Sequence, residues 1–153
     1  LAQYYSAASG RRFMALAGDH AYDIAPIVSV LASLINEADG ATMRLQGQSN
    51  LMCYGGMSPT TAREIFDLLS RRQTAMKLLN DCSSDHAGVI FGDETGYSAL
   101  SSSSIIAARY RTGDGTRFGY VGIIGPRRMD YERMIPCVEY FARGLGTVMN
   151  GKE

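Results

Sequence analysis

The sequence predicts an α+β domain in which an antiparallel sheet is covered by helices. Three observations lead there. Amphipathic 3.6-residue periods frame the chain, over 24–38 near its start and from Asp130 near its end. Between them lie short apolar runs bounded by glycine, serine and aspartate, the pattern of strands. Two of those runs flank Gly113-Asp114-Gly115, a strong hairpin signal, and strands joined by a hairpin are antiparallel.

Residues 1–22 show no sustained period, and Gly10 and Gly18 interrupt them; the basic pair Arg11-Arg12 reads as a solvated turn. From Asp23 a helix is predicted. Ile24, Ile27, Val28, Leu31, Leu34, Ile35 and Ala38 fall on one stripe, with Asp23 as N-cap and Gly40 as the stop. Met43–Leu45 reads as a short strand, followed by a loop at Gly47-Gln48-Ser49-Asn50 and a turn at Gly55-Gly56. Ser58-Pro59 predicts a helix start, serine as cap and proline at the first helical position. Ile65, Leu68, Leu69, Met76 and Leu79 carry that helix towards Asn80, with Arg71 and Arg72 on its wet side. Val89-Ile90-Phe91 is a strand, and Gly92–Gly96 the loop after it. Ser101–Ser104 lead into a strand over Ile105–Arg111, which returns through the hairpin as Phe118–Ile124. Gly125-Pro126 ends that strand. Met134, Val138, Phe141, Leu145 and Val148 then mark one face of a last helix.

The chain has 153 residues, 46% hydrophobic and 20% charged, enough apolar material for one cored domain. Fifteen basic side chains balance fifteen acidic ones. A stand-alone nucleic-acid binder carries a basic excess, because phosphate neutralisation supplies most non-specific affinity. This stretch is therefore not expected to grip DNA alone. No apolar run reaches the ~20 residues of a membrane span, and no segment reads as a signal peptide. Opening on Leu1, the chain is expected to begin inside a longer, cytoplasmic polypeptide.

Candidate chemistry is sparse. Cys53, Cys82 and Cys137 are widely and unequally spaced, and His20 and His86 are the only histidines, so reduced, buried or semi-buried thiols are expected and no metal site. Asp93-Glu94 lacks an accompanying histidine, lysine or second carboxylate pair for acid–base work, and reads as a solvated loop or an ion pair. Ser101–Ser104 form no nucleophile elbow and read as loop or strand-edge serines. Glycines 113, 115, 119, 122 and 125 lie in the hairpin and its return strand, without the lysine and helix opening of a phosphate loop. No catalytic residue, cofactor or metal is expected.

Ile123-Ile124-Gly125-Pro126-Arg127-Arg128-Met129-Asp130-Tyr131 resembles the C-terminal signature of HrcA-type heat-inducible transcription repressors. The family's usual threonine is replaced by Arg127. Three weaker likenesses occur in the family's order: Gly47-Gln48-Ser49-Asn50-Leu51, Phe91-Gly92-Asp93-Glu94, and Ser104 through Tyr110. Together they run from Met43 to Leu145. The resemblance implies a GAF-like domain over 41–153, in keeping with the predicted layers. It places 1–40 as a helical segment of an inserted dimerisation region, and a winged-helix DNA-binding domain N-terminal to this chain. It also implies a homodimer that represses class I heat-shock chaperone operons at an inverted-repeat operator, with a chaperonin as regulatory partner and loss of activity on heating.

Within the signature, Gly125 allows a sharp reversal, Pro126 fixes the backbone and Asp130 caps the next helix. Arg128 is expected to pair with Glu94 or Asp130, while Met129 and Tyr131 pack nearby. An alternative is an anion site, since two arginines beside a helix N-terminus favour negative charge; a partner contact is a third. A different class of function is a GAF-like module binding a small molecule between sheet and helices, although no convergent polar set marks such a pocket.

Overall fold

The computed structural model describes residues 31–35, 42–53, 57–82, 84, 86–112 and 117–149. Five strands form one antiparallel sheet. These are β1 (Leu31–Ile35), β2 (Thr42–Gln46), β3 (Gly88–Phe91), β4 (Ser103–Thr112) and β5 (Arg117–Pro126), in the order β2-β1-β5-β4-β3. Four helices accompany it: α1 (Gln48–Cys53), α2 (Pro59–Ser70), α3 (Arg72–Cys82) and α4 (Tyr131–Met149). Two 3₁₀ turns, Gly92–Thr95 and Ser98–Leu100, join β3 to β4.

Helices cover both faces, and the strand periodicity records it. In β4, Ile105 and Ala107 join the core under α1–α3, with Leu51, Ile65, Leu69, Leu78 and Leu79. Ile106, Ala108 and Tyr110 point the other way, to Met134, Val138 and Ala142 of α4. A strand buried on both sides reads as a continuous apolar run, as Ile105–Ala108 does. Two glycines let the layers close. A Cβ on Gly122 would lie 2.7 Å from Leu79 Cδ2, and one on Gly119 only 2.2 Å from Tyr110 Cζ. The Tyr110 ring therefore occupies the space that a side chain at the paired Gly119 would need.

Three expectations change. The helix over 24–38 is not found at Leu31–Ile35, which is β1, paired with β5 from Leu31↔Ile123 to Ile35↔Gly119; its remaining positions lie outside the described residues. Five mostly apolar residues satisfy either period in so short a window. The edge of β5 away from β4 decides the matter, because its backbone groups need partners. The sheet consequently includes residues upstream of position 41.

The single helix expected from Pro59 to Asn80 is two, broken at Arg71, whose backbone is extended (φ −80°, ψ 102°). The stripe Ala62, Ile65, Leu69 would continue at 72 and 73, which are Arg72 and Gln73. Burial resumes instead at Ala75, Leu78, Leu79 and Cys82. Restarting the helix brings both stripes onto one core. Ser58 and Pro59 open α2 as expected, Ser58 Oγ accepting from Thr61 N–H at 3.1 Å. Lastly, the loop expected at 47–50 contains the start of α1. Gly47 enters it at φ +91° and Leu51 is fully buried.

Candidate functional site

The segment between β5 and α4 is built by backbone first. Arg127 N–H donates to Ser102 O at 3.0 Å, adding one rung beyond the Ser103↔Pro126 pair. Asp130 then caps α4: its carbonyl accepts from Met134 N–H at 2.9 Å and its carboxylate from Arg133 N–H at 3.3 Å. These are donors that the first turn of a helix otherwise leaves unpaired.

Tyr131 turns its ring back towards the sheet. Its hydroxyl lies 2.5 Å from Arg127 O and 2.9 Å from Ser104 Oγ, which is 3.2 Å from Pro126 O. Two hydroxyl protons serve three contacts, so the trio is one cooperative unit. The ring also meets Phe91 edge-on, at 6.1 Å between centroids and 77° between planes. Strand β3, the β4–β5 end and α4 are thereby tied at one corner of the sheet.

The outer layer of this corner is ionic. Arg127 Nη1 donates to Asp93 Oδ2 at 2.8 Å, and its guanidinium lies 5.1 Å from the Phe91 ring centre. That hydrogen bond holds the Asp93 carboxyl below the usual carboxylate range. Glu94 accepts from Phe91 N–H at 2.8 Å and so steadies the 3₁₀ turn. A Cβ on Gly92 would lie 1.5 Å from Leu100 O, so the loop's close approach requires glycine there.

The arginine–carboxylate contact thus falls one residue away from the expected pairing on each side. Arg127 bonds Asp93, while Arg128 is exposed and pairs with neither Glu94 nor Asp130. The reason is local: Glu94 and Asp130 are both turned to backbone N–H groups, and Asp93 faces the sheet end from which Arg127 emerges. Met129 packs, half-buried, against the α4 core, and Gly125 is buried in the strand. Sequence reasoning did not anticipate Phe91 or Ser104 here. Ser104, expected at a loop or strand edge, is fully buried in β4. Its place one residue before Ile105-Ile106 is the signal that could have located it.

Elsewhere, Cys82 is buried and its thiol donates towards Gly88 O (3.1 Å) and Ile105 O (3.4 Å). Burial pushes that thiol up to about 11, and burial also raises Cys137. Among the described residues no three His, Cys, Asp or Glu gather into a metal-binding group. Between the sheet and α2–α3 lies a cavity of about 20 Å³, lined by Leu45, Leu69, Leu78, Leu79 and Ile105 among others and wholly apolar. An open groove beside α4 carries His86 and Glu139, 3.7 Å apart, with Arg143 and Thr147. No described helix is long and apolar enough to cross a membrane.

Solved structures share this architecture. A crystal structure titled as that of a hypothetical protein at 2.2 Å resolution superposes with a TM-score of 0.60 at 18% identity, over 71% of this chain and 33% of that one. The Escherichia coli DhaR(N)–DhaL complex gives 0.54 at 14% identity, over 90% and 46%. At such identities the likeness establishes the fold, a GAF-like α+β arrangement of antiparallel sheet and covering helices.

Sequence relatives are more informative. A protein of Caulobacter vibrioides, named heat-inducible transcription repressor HrcA, is 40% identical over 118 residues, which is 75% of this chain and 33% of that protein. Its namesake in Sphingopyxis alaskensis is 36% identical over 73% of this chain and 33% of the relative. That in Laribacter hongkongensis is 30% identical over 81% and 38%. The chain thus spans about a third of the length of these curated relatives. The family profile described as the HrcA protein C terminal domain matches residues 11–135, most of the chain including the whole signature corner, and the chain belongs to the HrcA family.

Proposed function

We propose that this chain is the pairing and regulatory part of a repressor that silences heat-shock chaperone operons. The observation that carries this reading is the family match over 11–135, with relatives named heat-inducible transcription repressors. In the proposal, operator DNA is read by a winged-helix domain N-terminal to this chain in the same cytoplasmic polypeptide. The balanced charge of fifteen acidic and fifteen basic side chains supports that division of labour. The chain performs no catalysis, and a chaperonin acts as regulatory partner.

The mechanism is geometric. A two-fold homodimer holds two DNA-reading heads at the spacing of an inverted repeat, so protein symmetry matches operator symmetry. Binding by both heads gains from their linkage, and a loosened dimer loses that gain. The segment assigned to pairing is the one preceding β1, since Leu31–Ile35 is engaged in the sheet. Of the signature residues, Gly125, Pro126, Met129, Asp130 and Tyr131 serve as a structural corner, while Arg128 stays exposed beside it. With Arg127 committed to Asp93 and the α4 N-terminus already capped by Asp130, an anion site there is disfavoured. Heating then acts by unfolding: a loss of ~1–2 kcal/mol changes the folded ratio several-fold or more, because native domains are only marginally stable.

A small-molecule sensor is the weaker reading. The cavity of about 20 Å³ under α2–α3 admits about one water, whereas ligand pockets run to roughly 300–1,000 Å³. The groove beside α4, at about 670 Å³, has that size but lies open on the surface, outside the space between sheet and α2–α3. Sedimentation equilibrium and an operator-binding titration across temperature test the proposal. The expected result is a dimer that releases the inverted repeat as the domain melts. A strictly monomeric polypeptide, or one that remains dimeric and operator-bound well above the induction temperature, overturns it. So does sub-micromolar, repeat-specific binding by residues 1–153 alone.

A further inference from the structure

Two neighbouring serines in β4 have opposite fates. Both Ser103 and Ser104 are 0% exposed. Ser104 shares its hydroxyl with Pro126 O and Tyr131 on the α4 face. Ser103, by strand alternation, lies on the other face with Ile105 and Ala107, under the apolar layer of α1–α3. Its Oγ has no hydrogen-bond partner among the described residues. A buried hydroxyl without a partner is stripped of water and receives nothing in return, whereas a methyl group at the same place loses nothing on burial. Most buried polar groups are paired, so an orphan at the start of an interior strand of the sheet needs a reason.

We propose that Ser103 is a built-in destabilising residue that lowers the melting temperature of this domain and so sets the temperature at which operator is released. The second half rests on the repressor reading above; the first half does not. A thermal trigger must unfold within a narrow range above growth temperature. One uncompensated hydroxyl in an otherwise packed core lowers the melting point without loosening the fold or altering its surface.

The test exploits the pair. In the 153-residue chain, Ser103→Ala is expected to raise Tm by about 3–10 °C, from the usual penalty of an unpaired buried polar group and the Tm response of a domain this size. Ser104→Ala, one residue away and equally buried, is expected to lower it. A Tm for Ser103→Ala equal to or below that of the unmodified chain overturns the inference, whatever the protein's function. The polypeptide carrying the winged-helix domain is then titrated with operator across temperature. Retention of DNA to a correspondingly higher temperature supports the set-point role. An unmoved release temperature, with Tm raised, overturns that role and the melting mechanism behind it, while the destabilising role of Ser103 stands.

Discussion

Replacing Tyr131 by phenylalanine tests whether the corner between β5 and α4 is held by its hydroxyl or only by its ring. The ring contact with Phe91 survives the change, so shape is preserved and one O–H is deleted. Arg127 is exposed, and water can replace the lost donor to its carbonyl; Ser104 Oγ keeps Pro126 O at 3.2 Å. No buried group is orphaned, so the cost is that of one net hydrogen bond, about 1 kcal/mol, or a Tm lower by about 3 °C. Ser104→Ala removes a fully buried partner and also frees Pro126 O, for about 1–2 kcal/mol. Because two protons serve three contacts, the double variant should lose less than the sum, with a coupling of roughly 0.5–1 kcal/mol. Urea unfolding of the four proteins at pH 7, with unchanged m, gives the cycle. Additivity within ~0.3 kcal/mol, or a neutral Tyr131→Phe, refutes the claim that the hydroxyls form one unit.

Arg127→Thr, which restores the family's usual residue, should return the Asp93 carboxyl towards its ordinary value, seen by NMR titration. Both partners of that ion pair are 51% exposed, so stability should change by less than ~1 kcal/mol. Asp130→Ala should cost about 1 kcal/mol in denaturant unfolding through loss of the α4 cap. Gly119→Ala should cost about 1–3 kcal/mol, since the new Cβ would lie 2.2 Å from Tyr110 Cζ; a neutral result by thermal melting would contradict the packing. At alkaline pH the signs are fixed by burial. The Cys82 thiol is raised from 9.0 to about 11 and the Tyr110 hydroxyl from 10.0 to about 12, so the folded state holds protons that the unfolded state has released. Their contributions are whole below about pH 9 and fall away as pH rises from there to about 12. Cys82→Ala should abolish the part lost between about pH 9 and 11 in urea midpoints measured against pH.

Much of the architecture was legible in local pattern. The hairpin signal at 113–115, which lies outside the described residues, announced the β4–β5 pair, seen in register from Ser103↔Pro126 to Thr112↔Arg117. Ser58-Pro59 located the start of α2, and Asp130 the start of α4. The signature from Gly125 to Tyr131 pointed to the corner and to the family. What escaped was every feature set by a distant partner. The strand at Leu31–Ile35 looks helical alone and becomes β1 because β5, almost ninety positions later, offers an edge. The break at Arg71 carries no proline or glycine, and only a common core under both stripes requires it. Arg127 was visible as a departure from the family, but that it would meet Asp93 depended on the fold bringing position 93 to the end of β5.

By itself, then, the amino-acid sequence determined the class of fold, the antiparallel hairpin, the helix caps and the family, because turn chemistry, capping and periodicity act over a few neighbouring residues. Only the tertiary structure decided which edge β1 would fill, which arginine would pair, and that Ser104 would be bonded while Ser103 would not. Those outcomes follow from satisfying backbone and polar groups across the whole sheet, and no local window contains the partners involved.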